Sequence, residues 1–187
     1  MPRRTPPRRR LELIPAGGAS SALLRALGAE LDAVLPTTHH VGRRLTGSEV
    51  EGDACLSDAL LDALIARADA ERVDPREAWL LAVSGGELRA PPHGRVFGEA
   101  AVGAGCAVVG LAPLDAGSGC TATTLLERAV KVCVHEIGHA AGLEHCADHA
   151  CVMYPSRDIA DVDRKDKLFC RRCAKDLEHA TLDAART

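Results

Sequence analysis

The chain has 187 residues, of which 47% are hydrophobic and 2% are aromatic, and its formal net charge is −3. This length and apolar content predict a single domain, or two closely packed subdomains, with a sizeable core. The small negative charge and the scarcity of aromatic rings give no reason to expect nucleic acid or a membrane as a partner. Any function should therefore depend on a local site.

Residues 1–10 form a basic run broken by prolines, which cannot sustain a helix. They predict a disordered tail, and an arm that contacts nucleic acid or an acidic partner is the less favoured alternative. The next apolar residues are interrupted by Glu12 and Pro15, which does not fit a signal peptide, and no run is long enough to span a membrane. We expect a cytoplasmic monomer.

The first elements predicted are a short strand at residues 11–14 and an amphipathic helix from Ser20 to the position before Pro36. His39 and His40 follow in an extended segment. Neighbouring side chains of a strand point to opposite faces, so these histidines make a poor chelating pair. A structural or surface role is favoured for both.

A polar connection at residues 42–52 precedes a second amphipathic helix, which begins near Ser57. The apolar run at residues 78–86 is bounded by turn residues and predicts a strand covered on both faces. Two further strands, joined by a glycine-rich turn, are predicted within residues 94–103 and 106–113. These elements predict an α/β fold with a mixed twisted sheet backed by helices.

A long helix is predicted after a capping box. Thr124 would be its N-cap, and the side chain of Glu127, three residues later, would accept a hydrogen bond from the Thr124 amide. An apolar stripe along this helix should anchor it to the core, so that side chains on its other face are held rigidly. Cys133 lies on this helix and is interpreted as a small buried residue. The same interpretation applies to Cys55, Cys106 and Cys120.

The segment HEIGHAAGLEH, at residues 135–145, carries the strongest chemical signal. His135 and His139 are four apart, so they share a helix face and can bind one metal ion. Gly142 allows a sharp turn, after which His145 can reach the same ion. Three imidazole nitrogens leave one tetrahedral position for water, as in a catalytic zinc site, and Glu136 is the candidate base. The HExxH pattern alone also arises by chance on helix surfaces.

The residues after this segment extend the pattern. Met153 matches the methionine turn of metzincins. Cys146, Cys151, Cys170 and Cys173 supply four thiolates, which is the composition of a closed structural zinc site. Disulfide bonds are the alternative, and a redox CxxC pair is less favoured because no thioredoxin-like βαβ unit surrounds it. A metal bound to these cysteines would hold His145 and Met153 in place.

This series of HExxHxxGxxHC, CxM and CxxC resembles the archaemetzincins, a family of metzincin-type zinc metalloproteases. The resemblance extends from about Trp79 to Cys173 and includes the VDRK segment at residues 162–165. It implies a strand above the cleft that pairs with extended substrate, because an edge strand offers unpaired backbone groups. The residues of that edge would be Val96, Phe97, Gly98, Glu99 and Ala100.

The resemblance and the spacing together predict a metzincin-like fold in three parts. These are the tail at residues 1–10, an α/β subdomain with the active-site helix at 11–142, and a small zinc-stabilised subdomain at 143–187. The expected cofactors are two zinc ions, one catalytic and one structural.

The predicted function is hydrolysis of peptide bonds in a peptide or protein substrate by a zinc-activated water, with Glu136 as general base and Met153 as the apolar floor of the site. Two alternatives stay open. One is a zinc-stabilised binding module without turnover, and the other is a zinc hydrolase of a non-peptide amide. The pattern does not distinguish an endopeptidase from an aminopeptidase.

Overall fold

The computed structural model describes residues 8–47, 50, 52–117 and 119–183. For residues 181–183 it describes the backbone but not the side chains. Most of the predicted tail, residues 1–7, also lies outside it. The elements in chain order are β1 (Arg9–Ala16), α1 (Ser21–Val34), β2 (Thr37–Val41), β3 (Ala54–Leu56), α2 (Ser57–Ala70), β4 (Ala78–Ser84), β5 (Glu87–Ala90), β6 (Gly94–Val96), β7 (Gly98–Ala101), β8 (Cys106–Gly110), a 3₁₀ turn (Ala112–Leu114), α3 (Ala122–Ala140), α4 (Ile159–Arg164) and α5 (Arg171–Asp183).

The larger sheet has the strand order β2-β1-β4-β8-β7 within the described residues. Its first four strands are parallel, and β7 runs antiparallel to β8 at the edge. Parallel strands need crossover helices that cover the sheet faces. The predicted mixed α/β sheet is confirmed.

The helices divide between the two faces of this sheet. Leucines of α1 and the apolar stripe of α3 pack on one face, against side chains such as Leu13 and Val109. Leucines of α2 pack on the other face, against side chains such as Leu80 and Val108. All seven residues of β4 are buried, as the uninterrupted apolar run predicts. The core thus holds β4 and β8 rigidly behind the edge strand β7.

A smaller sheet of β3, β5 and β6 adjoins the larger one in the described part of the chain. The single strand predicted within residues 94–103 is wrong, because the structure has two strands there: β6 ends at Val96 and β7 begins at Gly98. Phe97 lies between them and packs against the core that α1 and α3 form with the larger sheet. The chain therefore changes sheets at Phe97, which turns one predicted edge into two short ones.

Several predicted boundaries shift. Arg9 and Arg10 of the predicted tail belong to β1, and the Arg9 guanidinium lies 4.4 Å from the centre of the Trp79 ring. The predicted capping box is wrong, because the cap of α3 is Thr121, which accepts a hydrogen bond from the Thr124 amide. His39 takes a structural role, with its Nδ1 atom 2.7 Å from Asp32.

The segment after α3 is fastened to that helix by two basic side chains. Arg128 forms a bidentate ion pair with Asp163, with both N–O distances 2.8 Å, and also donates to the carbonyl of Leu114. Lys131 donates to the carbonyls of Val162 and Asp163, near the end of α4. Lysine near a helix C-terminus satisfies free carbonyls there. No described helix has the length and apolarity to cross a membrane.

Replacing Asp163 with Asn is expected to lower the free energy of unfolding at pH 7 by about 1 kcal/mol, since the Asp163 side chain is partly exposed. The hydrogen bond from Arg128 lowers the pKa of Asp163. The ionised pair therefore stabilises the fold above about pH 4, the ordinary range of the carboxyl group, and this contribution is lost as the pH falls through the lowered value. Urea unfolding at several pH values measures the difference.

Asp176→Asn, on the exposed side of α5, is the matched control and should leave stability unchanged. If the free energy of unfolding of Asp163→Asn stays below that of the native protein by the same amount from pH 7 to pH 3, the contact is not ionic in origin.

Candidate metal centre and cleft

Helix α3 and the turn after it bring three histidines together. His135 and His139 lie on one face of the helix, and their Nε2 atoms are 3.2 Å apart. The helix ends at Ala140, and Gly142 adopts a positive φ of 101°, which reverses the chain as predicted. One ring nitrogen of His145 then joins the other two, with all three atoms within 4.8 Å of one another.

Backbone carbonyls orient the two helical imidazoles. His135 Nδ1 lies 2.8 Å from the carbonyl of Val152, and His139 Nδ1 lies 2.7 Å from the carbonyl of Leu143. Each Nδ1 must therefore carry the proton, which leaves a lone pair on each Nε2. Two facing lone pairs repel, but they suit a cation between them, and the Nδ1 contacts are those of metal-ligating histidines. The residues fit a zinc ion.

Electrostatics also favour neutral imidazoles at this site. Burial lowers the pKa of His135 well below its ordinary value, and the charge of Lys165 lowers it further. Burial likewise lowers the pKa values of His139 and His145. Only the neutral ring can bind a metal, so the site is preorganised for one.

Glu136 is buried beside the histidines, beneath the edge strand. Its burial raises its pKa to about 8, and the nearby charge of Lys165 opposes that shift. A side chain at Gly98 would come within 2.6 Å of the Glu136 Cγ atom and 2.7 Å of the Val108 carbonyl. Glycine at position 98 therefore leaves the space that Glu136 occupies, a role that spacing in the sequence does not indicate.

Met153 lies under the active-site helix and is fully buried. A Cβ atom at Gly138 would overlap with the Met153 sulfur, so glycine at this position allows the close approach. Met153 thus packs against α3 between the positions of His135 and His139, and its role as the methionine turn stays a prediction. The amide of Cys146 donates to the carbonyl of Met153 at 2.9 Å. This hydrogen bond joins the segment around Met153 to the loop that carries His145.

The structure brings together Cys146, Cys151, Cys170 and Cys173, with their sulfur atoms within 4.8 Å of one another. The Sγ atoms of Cys146 and Cys170 are 3.8 Å apart. A tetrahedral zinc with Zn–S bonds of about 2.3 Å places sulfurs about 3.8 Å apart, whereas a disulfide needs about 2.05 Å. The Cys170 amide donates to Cys151 Sγ at 3.3 Å, which suits a thiolate. The cluster fits a structural zinc.

The remaining described cysteines lie outside this cluster. Cys55, Cys106 and Cys133 are buried and Cys120 is partly buried, and none of these four belongs to a metal-like group in the described residues.

A cavity of about 750 Å³ opens above the histidines. Its upper wall includes all five predicted edge residues, and its floor includes the three histidines and Glu136. Among the strands that the structure describes, β7 pairs only with β8, so its other edge faces away from the sheet. An extended peptide has room to lie between the edge and the metal centre.

The lower wall of the cavity contains Lys165, which the sequence analysis did not assign to the site. It is only 2% exposed, and its Nζ donates to the carbonyl of Tyr154 at 3.0 Å. Burial lowers its pKa to about 8. Lys165 is the last residue of the VDRK segment in the noted resemblance, and that resemblance was the one signal in the sequence that could have pointed to it.

The twisted mixed sheet, the glycine turn after the active-site helix and the buried methionine define a metzincin-like protein with a three-histidine centre. A family model described as Peptidase family M54 matches residues 81–179 of the chain. The chain belongs to this family. The matched residues include the cleft, both candidate metal centres and most of α5.

Curated relatives agree with this assignment. The archaemetzincin of Methanopyrus kandleri is 40% identical over 133 residues, which are 70% of this chain and 69% of that protein. The archaemetzincin of Archaeoglobus fulgidus is 44% identical over 101 residues, or 53% of this chain and 59% of that protein. The alignment thus spans little more than half the length of the latter relative.

Solved structures are similar over nearly the whole chain. The archaemetzincin of A. fulgidus, solved in complex with malonate, has a TM-score of 0.72 and 29% identity over 89% of this chain and 98% of that one. A zinc-dependent peptidase of Methanocorpusculum labreanum has a TM-score of 0.77 and 26% identity over 89% and 99%. The fold is therefore that of these proteins.

Proposed function

We propose that this protein is a zinc-dependent metallopeptidase. The observation that carries the proposal is the convergence of His135, His139 and His145 beside the buried Glu136, on the floor of a cavity bounded by a strand edge. Membership of a peptidase family and similarity to a protein described as a zinc-dependent peptidase support it.

The three histidines would hold the catalytic ion. Zinc bound there supplies a Lewis acid that makes water more acidic and polarises a substrate carbonyl. The carbonyls of Val152 and Leu143 keep the two helical imidazoles in the tautomer that offers Nε2 to the ion. Met153 supports the ligands from below.

Glu136 would act as the general base and then as the general acid. Its carboxylate takes a proton from the attacking water and passes it to the leaving amine. No metal-like group of the described residues includes Glu136, so it stays free for proton transfer. Gly98 and the fully formed helix around Glu136 hold the carboxylate beside the histidines.

The edge at residues 96–100 would bind the peptide backbone. The free side of β7 offers N–H and C=O groups to an extended chain, and such pairing does not require particular side chains. The short edge of β6 continues this surface on the far side of Phe97. A peptide bound there would lie across the histidines.

Cys146, Cys151, Cys170 and Cys173 would hold a second, structural zinc. We retain the division into an α/β subdomain at 11–142 and a smaller metal-dependent subdomain at 143–187 as part of this proposal. The support is the lack of regular structure between Gly142 and α4, a stretch that contains Cys146 and Cys151.

Cleavage of a mixed peptide library by the zinc-loaded protein, with products identified by mass spectrometry, tests the proposal. We expect cuts by the native chain that are absent with Glu136→Ala and retained with Glu127→Ala, an exposed residue of the same helix. Whether the cuts require a free N-terminus separates an aminopeptidase from an endopeptidase.

Zinc content measured on the same samples gives a second readout. If native protein and Glu136→Ala both bind zinc and neither cuts peptides, the binding-module alternative is favoured. Turnover of small amides without peptide cleavage would instead favour a non-peptide hydrolase.

Gly98→Ala is expected to reduce kcat/KM by about 10-fold to 100-fold with zinc content unchanged, because the new methyl group displaces Glu136 from its position. Gly119→Ala offers a control, since a Cβ atom at Gly119 meets nothing within 4 Å and this residue does not line the cavity, although its positive φ adds some backbone strain. Equal activity of Gly98→Ala and native protein would show that Glu136 is not held by this contact.

A further inference from the structure

Lys165 carries a buried charge that the proposed mechanism does not use. Its ammonium lines the cavity and lies 3.4 Å from the protonated Nδ1 of His135, which cannot accept a hydrogen bond from it. Its remaining described hydrogen bond is to the neutral carbonyl of Tyr154. No ion pair joins Lys165 to a carboxylate in the described part of the chain. A buried ammonium is costly without an anionic partner.

Ser156 adds a second donor to the same wall. Its Oγ atom is buried and lacks a hydrogen-bond partner among the described residues, and Ser156 is one of the residues that line the cavity. Ser156 is two residues from Tyr154, whose carbonyl already contacts Lys165. A hydroxyl and an ammonium together match the two oxygens of one carboxylate.

The other charged groups that line the cavity are of both signs. Glu99 of the edge strand has a buried Oε2 atom without a hydrogen-bond partner among the described residues. Arg95 pairs with Glu87, and the carboxylate of Asp158 caps α4. The charges of Glu136, Cys151 and Asp161 raise the pKa of Lys165, so they partly balance its charge without a direct ion pair. Arg157 also lines the cavity and adds a further positive charge. A negative substrate group is therefore repelled by the strand side and attracted to Lys165.

We propose that Lys165 and Ser156 form a specificity site for a substrate carboxylate, so that the enzyme selects peptides with an acidic group beside the bond that is cut. This inference rests on the proposed peptidase function. The carboxylate comes either from an Asp or Glu side chain or from the free C-terminus of a short peptide. Both sources present the same planar anion to the two donors.

Binding to a catalytically inactive form separates this inference from catalysis. Zinc-loaded Glu136→Ala is mixed with peptide pairs that differ only by Glu or Gln at one position, each with a free or an amidated C-terminus. We expect the peptide with the correctly placed carboxylate to have a Kd about tenfold lower than that of its Gln partner. One charge-assisted hydrogen bond contributes about this factor. Isothermal titration calorimetry measures it.

Lys165→Met in the same background should abolish the preference, whereas Lys167→Met should keep it. Lys167 is the matched control because it pairs with Glu30 and does not line the cavity. A preference confined to amidated peptides with internal Glu assigns the site to side chains, and one confined to free termini assigns it to the C-terminus. Either outcome supports the proposal.

Equal binding of every Glu and Gln pair by the Lys167→Met protein would overturn it. Ser156→Ala is the second variant if Lys165→Met fails to fold, and it should lower the preference about threefold. An unchanged preference in Ser156→Ala or in folded Lys165→Met would also refute the assignment. Failure of the native protein to cut any peptide would count against the peptidase function but would leave these binding ratios measurable.

Discussion

Replacing Cys151 with Ser is expected to remove one zinc ion per chain and to lower the free energy of unfolding by about 4 kcal/mol or more. Cys151 is buried in the four-cysteine cluster and lies two residues before Met153. A hydroxyl is a poor zinc ligand, so the remaining three thiolates would lose the ion. The chain around Met153 and His145 would then lose its support.

Metal analysis and urea unfolding on the same protein measure the two effects. Cys120→Ser is the matched control, because Cys120 lies outside the cluster, and it should retain native zinc content and stability. If Cys151→Ser keeps its full zinc content and its unfolding midpoint, the cysteines do not form a structural metal site. Sensitivity of the native protein to a reductant rather than to a chelator would point to disulfides.

Glu136→Gln is expected to reduce kcat by about 10²-fold to 10⁴-fold, the usual contribution of general acid–base catalysis. The amide has nearly the shape of the carboxylate but cannot accept the proton. Because burial raises the pKa of Glu136 to about 8, an uncharged side chain is well suited to this environment. The variant should therefore bind zinc normally and be at least as stable as the native protein.

Single-turnover cleavage of a peptide found in the library screen gives the rate, and zinc analysis and thermal melting serve as readouts of the fold. Glu127→Gln makes the same chemical change on an exposed position of α3 and should leave kcat unaltered. Retention of most activity in Glu136→Gln would exclude this residue as the proton acceptor. A large loss of zinc would instead show that Glu136 supports the metal centre.

Local spacing was sufficient to predict the metal-like clusters. His135 and His139 are related by one helical turn, and Gly142 provides a backbone reversal that few other residues allow, so their proximity follows from short-range geometry. The two cysteine pairs are distant from each other in sequence. Four clustered thiols, however, have few roles other than metal binding or disulfide formation. The mixed α/β sheet followed from apolar runs such as β4, because continuous burial requires helices on both faces.

Properties that depend on tertiary packing were not predictable in the same way. The break at Phe97 arises because the chain changes from one sheet to another, whereas its residues have ordinary strand character. The strands β3 and β5 are short and carry too few residues to show a period. Lys165 directly follows α4, which the Arg128–Asp163 ion pair joins to α3, so its position depends on tertiary contacts that a local sequence pattern does not show.

The free edge of β7 also has a consequence for self-association. An open strand edge that accepts a substrate backbone would accept a strand from another protein chain equally well, and long flat edges of this kind nucleate aggregates. Here β7 contains four residues, and Phe97 separates it from the three residues of β6. Each edge can form only a few hydrogen bonds, so we expect a strand from another chain to dissociate again. The shortness of both edges should therefore limit irreversible self-association.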